Sequence, residues 1–584
     1  MSDLIKINID GRDLEVESGI TVLAAARKAN IDIPTLCFLK DINNAGDCRM
    51  CIVEIEGRRG YVPSCNTIVQ DGMVVRTNTP GIMEARRVIL DLILSSHNRA
   101  CLTCERNGNC ELQTLAEKFG FTEIEYAGLE VEPHIDDKSP SIVRDASKCI
   151  MCKRCVATCK NVQGIAAIDV AGRGYKSHIS TTNEKSLDDV NCVFCGQCIE
   201  ACPVGALKEK DETKNVFRKL RDKDTIVIAQ TAPAVRVALG EEFGMPIGTN
   251  VTGKMVTALK RLGFDRVFDT NTGADITIME EANEFIDRLN GNGPLPLITS
   301  CSPGWIKYIE MNYPENLKHL SSCKSPQEMF GALIKSYYAE KENIDPSKIF
   351  VVSVMPCVAK KFEKTREELA VNGLQDVDAV LTTRELARMI KQANIEFTGL
   401  EDNEFDSPMG SATGAAVIFG TTGGVMEAAL RTAQDTLTGK DLEAIDFEMV
   451  RGEQGIKRAT VNVNGTDVKV VVASGLKNAK VIMEEIKSGK ADYHFVEIMA
   501  CPGGCIMGGG QPIVSSKIRS EVDVRALRAN ALYTIDEKSV IRKSHENPVV
   551  KSIYAEYLEK PGSHKAHELL HTTYAARPKY KDAE

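Results

Sequence analysis

Long apolar runs are missing from this sequence of 584 residues. No stretch approaches the ~18 apolar residues that a membrane-spanning helix requires. The first residues alternate apolar and polar side chains, where a secretion signal would be continuously apolar. Basic residues are not in excess either, since the net charge is −9 and nucleic-acid binders usually present a basic face. We therefore expect a cytoplasmic protein with no membrane span and no nucleic-acid partner.

Cysteine, in contrast, is abundant, with twenty residues. Disulfide-rich scaffolds are short secreted chains, and the cytosol keeps thiols reduced, so metal ligation is the stronger interpretation. Fifteen of the cysteines lie between Cys37 and Cys202. The other five are spread over the rest of the chain: Cys301, Cys323, Cys357, Cys501 and Cys505. The N-terminal third is therefore predicted to hold several metal centres.

A doubled four-cysteine motif, C-x2-C-x2-C-x3-C, lies between residues 149 and 202. This spacing is typical of paired 4Fe–4S cubanes, in which the fourth cysteine of each copy ligates the other cluster. The first predicted cluster receives Cys149, Cys152, Cys155 and Cys202. The second receives Cys192, Cys195, Cys198 and Cys159. A pair of zinc sites is the alternative, although zinc seldom uses eight cysteines in this pattern.

Four cysteines nearer the N-terminus, Cys37, Cys48, Cys51 and Cys65, lie in a strand-and-helix pattern like that of ubiquitin. A hairpin over 4–8 and 13–16 with an Asp10-Gly11 turn is predicted there, followed by a helix over 20–29. Four thiolates on loops beside a small sheet suit a 2Fe–2S cluster, although the first loop is longer than in plant ferredoxins. A structural zinc ion is the alternative.

A third group combines one histidine with three cysteines, namely His97, Cys101, Cys104 and Cys110. The histidine follows an apolar helical segment, and imidazole can supply the fourth ligand to iron or to zinc. The residues alone leave both metals open. Iron is favoured because three other predicted electron carriers lie nearby in the sequence.

The first ~210 residues resemble the iron–sulfur module of the large subunit of respiratory NADH dehydrogenase in the order of these three kinds of site. Three later segments resemble the signature of iron-only (FeFe) hydrogenases. They are Thr299-Ser300-Cys301-Ser302-Pro303-Gly304-Trp305, Met355-Pro356-Cys357-Val358-Ala359-Lys360, and Glu497-Ile498-Met499-Ala500-Cys501-Pro502-Gly503-Gly504-Cys505. In that family such cysteines hold the H-cluster, a 4Fe–4S cubane joined through a cysteine sulfur to a two-iron unit with CO, CN and a dithiolate amine.

The resemblance implies an α/β multidomain fold with four parts. These are a β-grasp 2Fe–2S domain over 1–80, a histidine-plus-three-cysteine cluster domain over 81–138, a two-cluster ferredoxin domain over 139–211, and a large α/β H-cluster domain with mostly parallel sheets over 212–584. From residue 212 onward, β-rich runs alternate with helical patterns, which independently favours α/β layers. The polar, basic tail after Pro561 is expected to be a docked or frayed terminus.

Further site residues follow from the resemblance alone. Cys357, Cys501 and Cys505 would ligate the cubane, and Cys505 would bridge to the two irons. Around the two-iron unit, the implied contacts are Lys360 to a cyanide ligand, Gln327 to a CO ligand, and Pro233, Met355 and Met499 as lining. The implied proton relay consists of Cys301, Glu281, Glu284, Ser321 and Arg288. Cys323 has no implied role beyond that of a small buried apolar residue.

The family usually has adjacent cysteines where this chain has Cys301 and Ser302. By register, Cys301 is the proton relay and the serine takes the cubane-ligand position. A thiolate matches iron better than a hydroxyl, so a ligand role for Cys301 also stays open.

The implied activity is reversible hydrogen oxidation and proton reduction, with electrons relayed through the N-terminal clusters. Hydrogen, protons and ferredoxin are the expected partners. The chain resembles the catalytic subunit of NADH-linked, electron-bifurcating hydrogenases, and it lacks a dinucleotide-binding glycine fingerprint, so a flavin- and NADH-binding partner subunit is also expected. A hydrogen sensor or an iron–sulfur assembly scaffold on the same fold is the alternative.

Overall fold

The computed structural model describes residues 3–128, 134–438, 446–452, 455–463 and 465–581. Its first part is a five-stranded sheet with one helix, Val22–Lys28, packed against it. The strands, in spatial order, are Arg12–Glu17, Leu4–Ile9, Val74–Arg76, Ile52–Ile55 and Val62–Pro63. Leu4–Ile9 pairs antiparallel with Arg12–Glu17 and parallel with Val74–Arg76, as in the expected β-grasp arrangement.

The opening hairpin turns at Asp10 and Gly11, both of which have positive φ angles, of 51° and 81°. Two successive residues with positive φ match the right-handed twist of a two-residue hairpin. The helix that follows begins after Thr21, whose hydroxyl accepts a hydrogen bond from the backbone N–H of Ala24 at 3.2 Å. The predicted hairpin and helix are therefore present, each shifted by one or two residues at its ends.

Residues 80–128 form a mostly helical part, and residues 134–209 form a small mixed part. The helices are Pro80–Ser95, Glu111–Lys118, Arg154–Ala157 and Gln197–Ala201. The strands are Ile135–Asp136, Ile142–Asp145 and Leu207–Glu209 in one sheet, with a separate ribbon of Asp169–Ala171 and His178–Ser180. The short elements leave most cysteines on loops.

Two four-stranded sheets organise the rest of the chain. The first is wholly parallel, in the order Arg266–Asp269, Ile226–Thr231, Ile349–Met355 and Ala379–Thr382. The second has the order Leu297–Ile298, Phe495–Met499, Thr466–Ser474 and Ile456–Val463, and only its last pair is antiparallel. The expectation of an α/β part with mostly parallel strands is confirmed.

Helices cover both sheets and separate them. The α-helices are Thr213–Leu220, Thr252–Leu262, Thr270–Leu289, Pro303–Asn312, Pro326–Leu333, Ala339–Lys341, Lys360–Glu363, Thr383–Gln392, Gly414–Val417, Gly424–Thr438, Leu476–Lys487, Ile518–Glu521, Val524–Lys538, Pro548–Ile553 and His564–Leu570. The tail after Pro561 is docked, because Leu569 and Leu570 are buried in the core around the first sheet. Among the described residues, no helix is long and apolar enough to cross a bilayer.

Candidate active site and electron-relay centres

A largely apolar cavity lies between the carboxyl ends of strands that belong to the two sheets of the C-terminal part. Cys357 follows the strand Ile349–Met355, and Cys501 follows the strand Phe495–Met499. The carboxyl ends of parallel strands in an open α/β sheet commonly form such a crevice. The cavity is lined by five cysteines, Cys195, Cys301, Cys357, Cys501 and Cys505, together with Ser302. The structure thus brings together residues that are distant in sequence.

Glycines let the backbone close tightly around this cavity. A Cβ atom on Gly504 would lie 2.7 Å from the backbone N of Thr422, and one on Gly508 would lie 2.3 Å from the carbonyl oxygen of Pro356. Both distances are shorter than any ordinary carbon contact, so a side chain at either position would push the loops apart. The loop carrying Cys505 can therefore approach its neighbours only with these glycines.

The thiols of the cavity are enclosed by protein, and this enclosure changes their acidity. Burial raises the pKa of Cys357 and Cys501 above the usual range and that of Cys505 to about 12. A buried thiol in such surroundings ionises only when a strong cationic partner compensates its charge. Soft sulfur donors in a water-poor cavity suit iron–sulfur ligation. The residues therefore fit an iron–sulfur cofactor.

Lys360 supplies a buried positive charge at the cavity wall. Its Nζ donates hydrogen bonds to Glu363 Oε2 at 2.7 Å and to the carbonyl oxygen of Cys301 at 3.2 Å. Burial opposes the charge on the lysine, but the negative groups around it, Glu363 first among them, together raise the pKa of Lys360 above its usual value. The ammonium group is therefore held as a fixed cation beside the thiols.

Glu363 is a site residue to which sequence reasoning gave no role. It accepts hydrogen bonds from Lys360, from Gln327 Nε2 at 2.8 Å and from Ser325 Oγ at 2.8 Å. Its position three residues after Lys360 on one helix was the available signal, because such pairs face each other. Within the described structure, the Oε1 atom of Gln327 is buried and has no hydrogen-bond partner. A buried unpaired amide oxygen commonly marks a place where a ligand or water binds.

Three predicted lining residues, Pro233, Met355 and Met499, do face the cavity. They are joined by Phe419, which sequence reasoning did not single out. Thioether and aromatic walls exclude water and adapt to an irregular shape.

Cys301 and Ser302 point to different neighbours. Ser302 Oγ accepts a hydrogen bond from the backbone N–H of Ala500 at 3.2 Å, next to Cys501. Cys301 instead packs at the edge of the core that contains Met499 and Phe419. Burial and the nearby carboxyl of Glu281 raise the pKa of Cys301 well above its usual value. Cys301 therefore lies toward the carboxyl groups, and Ser302 lies toward the cysteine loop.

Glu281 is fully buried on the helix Thr270–Leu289. Burial raises the pKa of this carboxyl to about 8. Among the described residues, neither carboxylate oxygen has a hydrogen-bond partner. Besides burial, the hydroxyl of Ser321 lowers the pKa of Glu281 and the negative charge of Glu284 raises it. A carboxyl group of this kind is protonated near neutrality and can give up its proton when a neighbour needs it.

Glu284 continues this line of polar groups toward the surface. Its Oε1 accepts a hydrogen bond from Arg288 at 2.6 Å, and its Oε2 accepts bonds from Ser321 Oγ at 3.3 Å and from Ser322. Arg288 also donates to the carbonyl oxygen of Leu320 at 2.8 Å. The predicted relay residues are thus brought into one chain of neighbours, and Ser322 joins them as a residue that sequence reasoning missed.

The ferredoxin-type cysteines form two separate groups. The first group lines a second, smaller cavity, and its members are Cys149, Cys152, Cys155 and Cys202. The second group is identified by its electrostatics. Burial raises the pKa of Cys198, and the negative charges of three nearby thiolates raise it further, namely those of Cys195, Cys192 and Cys159. Each group has three cysteines from one motif and the fourth from the other, which is the arrangement that the spacing predicts.

Cys37, Cys48, Cys51 and Cys65 also lie together. The backbone N–H of Cys37 donates to Cys48 Sγ at 3.3 Å. Hydrogen bonding from Cys65 lowers the pKa of Cys51 to about 7, which shows that the second pair is in contact as well. Loops beside the N-terminal sheet thus present two thiol pairs to one another.

His97 follows the helix Pro80–Ser95, and Cys101 and Cys104 come a few residues later in the chain. Burial lowers the pKa of this imidazole to about 4, so the ring is neutral, as metal ligation requires. Within the described residues, its Nδ1 atom is buried and has no hydrogen-bond partner. The three cysteines are half-buried, and Leu102 between two of them is 92% exposed.

Hydrogen bonds connect both the Cys37 group and the His97 group to the same ferredoxin-type group, so the connections between the centres are branched. Asn43 Nδ2 donates to the carbonyl oxygens of Cys37 at 2.8 Å and of Cys152 at 3.1 Å, and so joins the first thiol group to the ferredoxin part. Arg106 joins the His97 group to the same ferredoxin group through the carbonyl oxygen of Cys202 at 3.0 Å. At the other end, Cys195 lines the large cavity with Cys357 and Cys501.

The spacing of the thiols bears on the zinc alternative. Within the part of the chain that the structure describes, two groups of three potential ligand atoms lie within 4.8 Å of one another, Glu284–Cys323–His571 and Asp435–His545–Glu546. Neither belongs to the N-terminal cysteine groups. A single zinc ion would draw its ligands to within such a distance, because each Zn–S bond is only ~2.3 Å long. By this criterion, the N-terminal cysteine groups do not stand out as single-zinc sites among the described residues.

Comparisons with known families match nearly all of the chain. Residues 225–509 match the "Iron only hydrogenase large subunit, C-terminal domain", and residues 522–577 match the "Iron hydrogenase small subunit". Residues 2–80 match a 2Fe-2S iron-sulfur cluster binding domain, residues 86–125 the iron-sulfur binding region of NADH-ubiquinone oxidoreductase-G, and residues 139–208 the ferredoxin-like domain of NADH-quinone oxidoreductase subunit 3.

Similar proteins include the NADP-reducing hydrogenase subunit HndD of Solidesulfovibrio fructosivorans, which is 50% identical and matches 98% of this chain and 99% of its own length. Iron hydrogenase 1 of Clostridium pasteurianum is 45% identical over 97% of this chain and 99% of its own length. Among solved structures, a variant of the apo [FeFe]-hydrogenase HydA1 from Chlamydomonas reinhardtii is 42% identical with a TM-score of 0.57, and the match covers 63% of this chain and 100% of that one.

The fold and the thiol-lined centres define an iron–sulfur oxidoreductase with several electron carriers leading to one buried cavity. The chain belongs to the iron-only hydrogenase family. It is an enzyme of hydrogen oxidation and proton reduction with an N-terminal electron relay, and the comparisons do not favour a sensor or a scaffold. The predicted family resemblance, fold class and enzyme class are therefore confirmed.

Proposed function

We propose that the large cavity is the site of hydrogen oxidation and proton reduction, and that Cys357, Cys501 and Cys505 hold the H-cluster there. The observation that supports this proposal most directly is the convergence of these cysteines, Cys301 and Lys360 on one buried apolar cavity. The H-cluster supplies the iron that splits or forms H2 when it is bound. Cys505 would provide the sulfur that bridges its two parts.

The surrounding side chains position and insulate that cofactor. Lys360, which is fixed by Glu363, would donate to a cyanide ligand, and Gln327, whose Nε2 donates to Glu363, would contact a CO ligand. Pro233, Met355 and Met499 keep water away from the same space. Ser302 lies beside the Cys501 loop in the fourth ligand position, and Cys301 is left free to carry protons.

The proton route we propose runs from Cys301 through Glu281, Ser321 and Glu284 to Arg288. Each member contacts or influences the next, and the high pKa of Glu281 lets it hold a proton in the buried part of the route. Proton transfer needs groups within hydrogen-bond reach, directly or through one water. Neither oxygen of Glu281 has a hydrogen-bond partner among the described residues, so one water on each side of it, toward Cys301 and toward Ser321, would complete the chain.

The electron route we propose uses four smaller clusters, one 2Fe–2S and three 4Fe–4S, of which one has His97 as a ligand. The two ferredoxin-type groups lead from the cavity, and the route then divides between the Cys37 group and the His97 group through Asn43 and Arg106. The exposed Leu102 makes the His97 group a favourable point for electron exchange with a partner. Domain limits at 80, 138 and 211 separate these carriers.

The partners we propose are ferredoxin and a flavin-containing subunit that binds NAD(H) or NADP(H). The similarity to a subunit of an NADP-reducing hydrogenase and the lack of a dinucleotide fingerprint in this sequence both support a separate nicotinamide-binding chain. A cytoplasmic location is part of the proposal, because all twenty cysteines are free thiols in the structure and such thiols persist in a reducing compartment.

Infrared spectroscopy of the anaerobically matured protein tests the central proposal. We expect bands from metal-bound CO and CN that disappear in a Cys505→Ala variant. An active preparation without these bands would contradict the H-cluster assignment. The partner proposal is tested separately, by assaying H2-dependent reduction of a viologen dye and of NADP by the purified chain. We expect dye reduction alone, and NADP reduction by the isolated chain would contradict the need for a partner.

A further inference from the structure

Three side chains of types that bind metals lie together beside the proposed proton route. One of them, Glu284, belongs to that route, and the other two do not. Glu284, Cys323 and His571 each offer one ligand atom, and the three atoms lie within 4.8 Å of one another. Cys323 is fully buried, whereas Glu284 and His571 are only partly exposed, with 17% and 8% of their side chains accessible. Carboxylate, thiolate and imidazole together form a typical donor set for zinc.

The backbone holds these residues in register. Residues 322–324 run beside residues 570–572, with a bridge between Cys323 and His571 and hydrogen bonds from Thr572 N to the Ser322 carbonyl at 2.7 Å and from Lys324 N to the Leu570 carbonyl at 2.8 Å. The thiol and the imidazole are therefore placed side by side by the docked C-terminal segment. The site does not require a rearrangement of the chain to bring its ligands together.

The imidazole is also oriented for ligation. Its Nε2 lies 3.1 Å from Glu280 Oε2, and Glu280 is itself fixed by Tyr554 at 2.5 Å and by the backbone N–H of Gly562 at 2.8 Å. Because an ionised carboxylate can only accept, Nε2 of a neutral ring carries the hydrogen and Nδ1 keeps its lone pair. That Nδ1 lies 2.8 Å from Ser322 Oγ, on the side of Glu284, and it then accepts the hydroxyl proton that Ser322 could otherwise donate to Glu284 Oε2. Carboxylate–histidine–metal arrangements of this kind are common in zinc sites.

We propose that Glu284, Cys323 and His571 bind one soft divalent cation, such as Zn²⁺ or Cd²⁺, and that this binding inhibits the enzyme. On binding, the thiol of Cys323 loses its proton to solvent, and the Ser322 hydroxyl gives up its contact with His571. Glu284 becomes a metal ligand and can no longer pass protons between Ser321 and Arg288. The inhibition, though not the binding, rests on the proton route proposed above.

The test uses the matured enzyme in thiol-free buffer with ZnCl2, and it measures H2 oxidation with a viologen dye. Cys323→Ser and Glu280→Gln are expected to keep the activity measured without zinc. Both variants should need a higher zinc concentration for half-inhibition. We expect a roughly 10–100-fold increase for Glu280→Gln, which removes the carboxylate behind the histidine, and at least that increase for Cys323→Ser, which removes the thiol. His545→Gln alters the other group of three potential ligands and should leave the zinc response unchanged.

Zinc K-edge X-ray absorption provides a readout that does not depend on activity. We expect one sulfur at ~2.3 Å and nitrogen or oxygen ligands at ~2.0 Å, with the sulfur lost in Cys323→Ser. Zinc inhibition that is equally strong in Cys323→Ser, or a zinc shell without sulfur, would overturn the site. Zinc bound through one sulfur with full H2 oxidation would overturn the inhibition and would contradict a proton route through Glu284.

Discussion

The N-terminal relay region and the C-terminal cavity both gather buried thiols, but they assemble them over very different sequence distances. In the ferredoxin part, Cys149, Cys152 and Cys155 come from one loop and the short helix that follows it. In the cavity, Cys357 and Cys501 come from the ends of strands in two different sheets. The first region therefore depends on local chain geometry, and the second depends on the whole α/β fold.

The two regions also differ in the groups that accompany the thiols. Contacts between the relay centres are made by neutral amide and backbone groups and by single cations such as Arg106. The cavity is joined to a line of carboxyl groups, of which Glu281 is buried and proton-holding. The first arrangement suits electron transfer, and the second adds a path for protons.

The largest expected effect is a loss of activity at the cavity that leaves the N-terminal clusters intact. Cys357→Ala removes a thiol that only the fold brings to the cavity, so we expect no measurable H2 oxidation or evolution with viologen dyes. Electron paramagnetic resonance should still show the N-terminal clusters, because their ligands are untouched. Cys323→Ser is the matched control, since it changes a buried thiol outside the cavity lining and should keep its activity. Full activity in Cys357→Ala would contradict the proposed ligand set.

A second variant tests the proton path without touching any proposed ligand. Glu281→Gln keeps the shape of the side chain but removes a proton-transfer group, so both directions of the reaction should slow by roughly 10²–10⁴-fold. The infrared bands and the resonance signals should be unchanged. Glu280→Gln, one residue earlier on the same helix, is the control and should retain the parent rate. Equal rates for Glu281→Gln and the parent would remove Glu281 from the route.

Sequence reasoning predicted the relay region well because cluster ligands there follow a short spacing. The doubled C-x2-C-x2-C-x3-C motif was enough to predict two groups that exchange their fourth cysteines, and the structure places Cys202 with Cys149. The branched connection was not predictable. It depends on Asn43 reaching the carbonyl oxygen of Cys152, a contact between distant segments that no local pattern encodes.

The cavity was predicted only through the family resemblance. Without it, Glu281, Glu284 and Arg288 have the spacing of an ordinary helix face with an ion pair. Burial distinguishes them, and burial depends on the packing of helix Thr270–Leu289 against other helices. Ser322 and Glu280 were missed for the same reason, since their partners come from other parts of the chain, whereas Glu363 had a local signal in its spacing from Lys360.

A pH profile gives a smaller effect that is specific to the cavity. Burial raises the pKa of Glu281 to about 8, so the carboxyl is protonated below that pH and can supply protons to Cys301. As the pH rises through about 8, the carboxylate form dominates and the supply declines. We therefore expect H2 evolution, measured at constant overpotential, to fall across this range. A rate that is flat through this range would show that Glu281 does not limit proton delivery.

The smallest expected effect lies in the relay region, at His97. Replacing a neutral imidazole by a thiolate in His97→Cys adds negative charge to one cluster, and histidine ligation is associated with higher potentials than cysteine ligation. We therefore expect a redox titration followed by paramagnetic resonance to show a lower midpoint potential for a single cluster. Dye-linked H2 oxidation should stay close to the parent rate, because dyes can also exchange electrons with the other carriers. His134→Gln, a change at an exposed histidine, should leave every potential unchanged. If His97→Cys also leaves every potential unchanged, the fourth ligand of that group is another residue, and the neutral, unpaired imidazole needs a different explanation.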